Sequence, residues 1–189
     1  MQIKNKFIFL FFCFLNIFFI NLNLYAEEFN ISATEIIIDK ENDTIIGKGS
    51  VEAIDSQGRT IKGNKITYRK SEEFLLAEGL VEVIDDEGNI LKTEKATYDK
   101  LKEIIITYDN SKLIIKEGYT LNTNNILYDT EKKIISSTLD SFFTDSDGNK
   151  VEVTMFQYLV KENLFSSIGK IKIIDVNKNK YFFKEIYVD

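Results

Sequence analysis

The 189-residue chain contains no histidine, no tryptophan and no proline, and its one cysteine is Cys13. Without histidine there can be no Ser-His-Asp or Cys-His nucleophile. With neither histidine nor a second cysteine there is no His/Cys metal site. The chain is therefore read as a non-enzyme, with no catalytic residue, no cofactor and no metal. Basic residues are short too, 24 Lys and Arg against 30 Asp and Glu. By bulk electrostatics that balance disfavours nucleic acid and anionic membranes as partners.

One long apolar run is present, at the start. Lys4 and Lys6 precede Phe7 to Ile20, which is apolar but for Asn16, and Glu27-Glu28 follow a short mixed stretch. The pattern is that of a secretory signal peptide, residues 1–26, cleaved after Ala26. An uncleaved signal anchor is the competing reading, although the run falls short of the ~20 residues of a spanning helix. Cleavage removes Cys13 and two lysines and leaves 22 basic against 30 acidic residues, a net charge of −8 without a thiol. An oxidising compartment neither harms nor helps such a chain.

The mature chain, residues 27–189, is a repeat. Copies 30 residues long open at Ile31, Ile61, Leu91, Leu121 and Val151, and a sixth begins at Tyr181. One column of the repeat holds Tyr68, Tyr98, Tyr128 and Tyr158. Two others hold Gly49, Gly79 and Gly169, and Gly58, Gly88, Gly118 and Gly148, seven of the nine glycines. Glycine serves positive φ or close approach, so one backbone shape recurs.

Each copy reads as two strands. The first alternates through Ile61, Gly63, Ile66 and Tyr68 with a one-residue slip after Gly63, the signature of a bulge. The second alternates through Leu75, Ala77, Gly79, Val81 and Val83, and its small central residues suggest a bend. The opposite parity carries Phe74, Leu76 and Ile84. Turns of the type DSQGR, DDEGN and DSDGN close the copies. The third copy, Lys116 to Tyr119, is a weaker version. In the fifth, Lys178 stands where glycine should, leaving Asn177 or Asn179 to take the strained position. Asp85-Asp86 and Glu72-Glu73 read as solvated turns. Two strands per copy give about eleven strands sharing one stacked interior. With no helical period anywhere, the fold class is all-β. Hairpin turns favour antiparallel pairing over a parallel β-helix, the competing reading of a thirty-residue coil. The tyrosine column would be a ladder with rings packed and hydroxyls reaching water, or the lining of a groove.

The segments ISATEIII, IKGNKITYRK, IIGKGSVEAID, LLAEGLVEVID and DDEGNILKTEKATYD resemble the OstA-like family of lipopolysaccharide transport. The pattern is carried by Gly49, Val51, Asp55, Gly58, Ala96, Tyr98 and Asp99, and is strongest from Glu27 to Asp129. The last stretch, NLFSSIGKIKIIDVNKNKYFFKEIYVD, is more similar to the periplasmic domain of the outer-membrane assembly protein. The resemblance implies a periplasmic β-jelly roll, open at both ends, that shelters lipid A acyl chains of lipopolysaccharide. It also implies sister modules joined by edge-strand pairing, with the outer-membrane assembly complex as a further partner. Phe29 to Asp39 and Tyr181 to Val188 would be the edges. Bridge protein, fragment of the assembly protein and membrane-anchored member stay open as alternatives. The residues it would set against acyl chains are Ile36, Ile38, Ile45, Val51, Ile66, Tyr68, Leu75, Val81, Val83, Tyr98, Ile105, Ile126, Tyr128, Ile135, Phe143, Phe156, Tyr158, Phe165 and Ile171. The alternative from another class is a secreted structural or adhesive β-repeat protein with a dry core, because that core asks for the same side chains.

Overall fold

The structure, a computed structural model, describes residues 29–116, 118–144 and 147–188. The predicted signal peptide lies outside the described residues. These form sixteen strands with one 3₁₀ turn, Lys70–Glu72, and no α-helix. The chain opens with β1 (Phe29–Ser32) and β2 (Glu35–Asp39), which both pair with β3 (Thr44–Asp55). Three more long strands follow, β4 (Thr60–Arg69), β5 (Phe74–Ile84) and β6 (Ile90–Asp99). Short strands come next: β7 (Ile104–Tyr108), β8 (Ser111–Ile114), β9 (Thr120–Thr123), β10 (Leu127–Asp129), β11 (Ile134–Ser137), β12 (Ser141–Thr144), β13 (Lys150–Val153) and β14 (Phe156–Leu159). Two long strands end the chain, β15 (Leu164–Ile174) and β16 (Lys180–Val188).

The sequence predicts about eleven strands. The chain does run as eleven arms, but five are broken in the middle, which gives sixteen strands. In three arms the bend has one backbone cause. In β3, Gly49 and Ser50 stand opposite the single residue Asn64, and in β5, Gly79 and Leu80 stand opposite Glu94. Both residues of each pair are left-handed, with φ of 74° and 48° in β3 and 75° and 51° in β5. Such a bulge kinks the strand sharply. In the next copy Asp109 and Asn110 hold the same two places at φ 56° and 46°, and the arm splits there into β7 and β8. Asp and Asn are the non-glycine residues that visit this region most readily.

The predicted slip is therefore at the right height but in the wrong strand. The inserted residue belongs to the glycine-bearing arm, not to the arm that opens the copy. Gly63 answers a different demand, since a Cβ there would lie 3.3 Å from the Glu78 carbonyl oxygen. Lys178 likewise takes the left-handed place of the missing glycine itself, at φ 67°, rather than passing it to either asparagine. Its turn is held by Asp175, whose carboxylate accepts from the Asn179 backbone N–H and side-chain amide at 2.8 Å each.

The kinks align into a crease that folds the ladder into two facing sheets. From β6, one sheet runs through β7, β10, β11 and β14 to β15, and the other runs through β8, β9, β12 and β13 to the same β15. Every pairing is antiparallel, which excludes the β-helix. Alternation then puts Ile61, Ile66, Leu75, Val81, Leu91 and Tyr98 between the sheets, all buried. Phe29 closes this interior at the N-terminal end, edge-on to Tyr68 and Tyr98 at 4.9 and 5.8 Å.

A Cβ at Gly79 would meet Asn64 Nδ2 at 2.8 Å in a backbone conformation with φ of 75°. Gly79→Ala is expected to cost about 1–3 kcal/mol, read from urea unfolding. Gly58→Ala, where a Cβ would meet nothing within 4 Å, should cost less.

Candidate functional site

Fifteen of the nineteen predicted lining residues are buried between the sheets: Val51, Ile66, Tyr68, Leu75, Val81, Val83, Tyr98, Ile105, Ile126, Tyr128, Ile135, Phe156, Tyr158, Phe165 and Ile171. Ile45 and Phe143 are half-buried. Ile36 and Ile38 are 47% and 63% exposed. Ile38 stands opposite Ile45, and Ile45 opposite Tyr68, so the exposed pair shares the inward parity of its sheet. They are uncovered because β2 is the end of the stack.

Opposite the crease, the hairpin turns of one sheet meet those of the other along a seam. The first contact is built on Arg59, one of two arginines in the chain and 1% exposed. Its Nη1 donates to Asp55 Oδ2 at 2.8 Å and, across the seam, to the Tyr98 hydroxyl at 2.5 Å. Tyr98 in turn donates to Glu103 Oε2 at 2.6 Å, and Thr130 donates to the same oxygen at 2.6 Å. Lys100 closes on the other Glu103 oxygen. Among the described residues the Arg59 Nε is buried without a partner. Glu103 is presented by a left-handed backbone, φ 53°.

The second contact lies one copy along. The Tyr128 hydroxyl donates to Asp85 Oδ2 at 3.3 Å. Lys133, also left-handed at φ 58°, reaches Asp86 and, at 3.0 Å, Glu87. The turn predicted to be solvated is so only in part: Asp86 is exposed, but Asp85 is buried, braced by Asn89 N–H at 2.7 Å and Asn89 Nδ2 at 2.9 Å. The oxygens of Asp85, Asp86 and Glu87 lie within 4.8 Å of one another. Asn89, Tyr128 and Lys133 already engage them, so the trio reads as one half of a clasp. The tyrosine hydroxyls likewise end in partners instead of water: Tyr98 and Tyr128 in these two clasps, and Tyr158 on Asn163 Oδ1 at 2.9 Å.

At the third contact the chemistry changes. The positions that hold Asp55 and Arg59, then Asp85 and Asn89, hold Ile115 and Tyr119. A cavity of about 190 Å³ opens there, walled by Ile115, Tyr119, Leu121, Phe143, Tyr158, Asn163, Phe165 and Val188. Phe143 and Phe156 pack on Phe165 with ring centres 5.1 and 5.8 Å away. Phe143, Tyr158 and Phe165 were in the predicted lining; Ile115, Tyr119, Leu121 and Val188 were missed. The signal for them was the weak third turn, where an apolar pair interrupts a polar column. A larger hollow of about 420 Å³ carries Asp140, Glu152, Lys170 and Lys172 on its walls. Four charges make it a poor host for hydrocarbon.

The sequence matches no family model and no curated protein. Among solved structures it is similar to LptH, the LptA homologous periplasmic component of the lipopolysaccharide transport device of Pseudomonas aeruginosa. The TM-score is 0.50 at 20% identity, over 57% of this chain and 79% of that one. The two chains share a fold. It is the jelly roll that the OstA-like resemblance implies. The wild-type TCP10 domain of Danio rerio CPAP aligns over 79% of this chain and 99% of that one at 10% identity, but its TM-score of 0.17 carries no weight.

Burial works to raise Glu103, but hydrogen bonds from Lys100, Thr130 and Tyr98 outweigh it and hold the carboxyl below its ordinary 4.5. The neighbouring Glu87 carboxyl is the main cause that lowers Asp86 to about 2, with Lys133 assisting. Burial, then Asp86, raises Glu87. Carboxyls lowered by folding stabilise above their ordinary values and lose that contribution as pH falls through the folded value. Glu87 acts in the opposite sense, its contribution fading as pH rises through its folded value. Wild type is expected to lose urea resistance as pH drops below 4.5. The stability gap to Glu103→Gln should narrow over the same interval. A gap independent of pH would contradict the Glu103 assignment.

Proposed function

We propose that this chain is a periplasmic lipid-carrying module of lipopolysaccharide transport, a binding protein and not an enzyme. The observation that carries the reading is the aromatic and aliphatic cavity between the sheets at the third seam contact. Hydrocarbon sheltered there gains about 0.8 kcal/mol per buried CH₂. The fold shared with a periplasmic lipopolysaccharide transport component supports the same reading, as does the leader expected to be cleaved after Ala26.

The ends of the stack support assembly with sister modules. Among the described residues β1 and β2 pair only with β3, and β16 only with β15. Their inward parity shows Ile36 and Ile38 at one end and Tyr181 and Phe183, 46% and 47% exposed, at the other. An unpaired edge with apolar side chains invites strand addition. Modules joined end to end would turn separate interiors into one covered path toward the outer membrane and its assembly complex.

The dry-core reading has one observation in its favour. The cavity is below the roughly 300–1,000 Å³ of ordinary ligand sites. A photocrosslinking residue at Tyr119 or Phe143, in cells making lipopolysaccharide, separates the two. An adduct with lipopolysaccharide at these positions and none at the outward-facing Gln157 is expected. No adduct at any cavity position would leave the dry core standing. For the ends, Ile38→Lys should abolish concentration-dependent oligomers in sedimentation while leaving the free energy of urea unfolding within ~0.5 kcal/mol of wild type, as surface changes do. Oligomers that persist would remove the strand-pairing claim.

A further inference from the structure

Resting on that reading, we infer that the seam is a graded gate: its two polar clasps hold the interior shut toward the N-terminus, and the length of acyl chain the module accepts is set by parting them in order from the cavity inward. The first to part is Lys133 with Asp86 and Glu87; the second is Arg59 with Tyr98 and Glu103.

Three observations converge on this. The cavity is short of room for a long chain, so a longer occupant must gain space from the interior beside it. That interior, around Tyr128, Ile135 and Tyr98, is filled by the protein's own side chains, and can widen only if the sheets separate. The crease joins the sheets covalently on one flank, so separation happens at the seam, where these two clasps tie one sheet to the other.

The clasps also differ in grade. Next to the cavity, Lys133, itself buried, pairs with Asp86 and Glu87, whose side chains are 45% and 34% exposed. An ion pair whose acidic half stays in reach of water is weaker than one with less exposed partners. Farther in, the pair that crosses the seam is Arg59 with Glu103, 1% and 21% exposed. Parting Arg59 from Tyr98 and Glu103 would leave a buried guanidinium short of partners, which is costly. The path of least resistance therefore starts at the cavity and stiffens toward Phe29.

Competition of octanoate and palmitate against bound N-phenylnaphthylamine, on the mature chain, tests this. Asp86→Asn with Glu87→Gln removes the charge of the outer clasp and leaves amide oxygens that can still accept from Lys133, so the fold should hold; the urea midpoint checks that. Palmitate affinity should rise two- to fivefold, the range that weak ion pairs command, while octanoate is unchanged. Conversely, Asp86→Cys with Lys133→Cys, bridged by a short bis-maleimide in a chain that otherwise lacks thiols, should lose palmitate and keep octanoate. Equal changes for both acids, or none for either, would overturn the gate and leave the lipid-carrying reading intact. If neither wild type nor the weakened variant binds either acid, that reading falls and the gate falls with it.

Discussion

Left-handed residues at a common height, paired at Gly49–Ser50, Gly79–Leu80 and Asp109–Asn110 and single at Gly169, bend alternate arms in the middle, and the architecture follows from that bend. An antiparallel ladder of straight arms would be one wide sheet with two solvated faces, and nothing in it could hold the apolar set that alternation puts on one side. Bent at a common height, the same ladder closes on itself, and its inward parity becomes an interior. Glycine makes the bend cheap at Gly49, Gly79 and Gly169, all with positive φ. Where Asp109 and Asn110 take over, the bend survives and the hydrogen-bonded arm does not. Ladder continuity is therefore dispensable at the crease, and the turn in direction is not.

A crease on one flank leaves a seam on the other, and the seam decides what the interior can do. Its turns could meet as hydrocarbon throughout, which would give one dry core. Instead two of the described contacts are charged and one is apolar. The buried Arg59 cluster is an expensive way to close a protein, because the guanidinium must be desolvated and its Nε goes unmet. An apolar cluster of similar volume would hold as well or better. What the ionic clasp offers is directional closure, a contact that fits in one geometry and is lost when the sheets part. At the apolar third contact, beside Phe143 and Phe165, the wall carries no charge, and a guest without charges would meet it there.

Much of this was legible in the sequence. The period, the two glycine columns and the inward tyrosines located the arms, the crease height and fifteen buried side chains. The crease was misassigned for a geometric reason. A bulge spaces buried residues four apart, as in Ala77 and Val81, so parity is kept and the bulged arm reads as unbroken. Its partner spaces them three apart, as in Gly63 and Ile66, and reads as slipped. The clasps were illegible because each joins turns 39 to 47 residues apart, and a charged turn seen alone looks solvated. A signal went unused: Arg59 shares a column with Asn89, Asn149 and Asn179, and Ile115 shares one with Asp55, Asp85, Asp145 and Asp175. Both marked the seam. The exposure of Ile36 and Ile38 follows from position in the stack, which parity cannot report.

The central claim is that the interior opens along the seam from the cavity end. Spin labels at Lys116 and Glu162, across the third contact, and at Gln57 and Lys102, across the first, measure this by double electron–electron resonance. On adding lipopolysaccharide, the distance across the third contact should lengthen and broaden, with the first unchanged. Lengthening at the first contact alone, or no change at either with lipid demonstrably bound, would contradict the account.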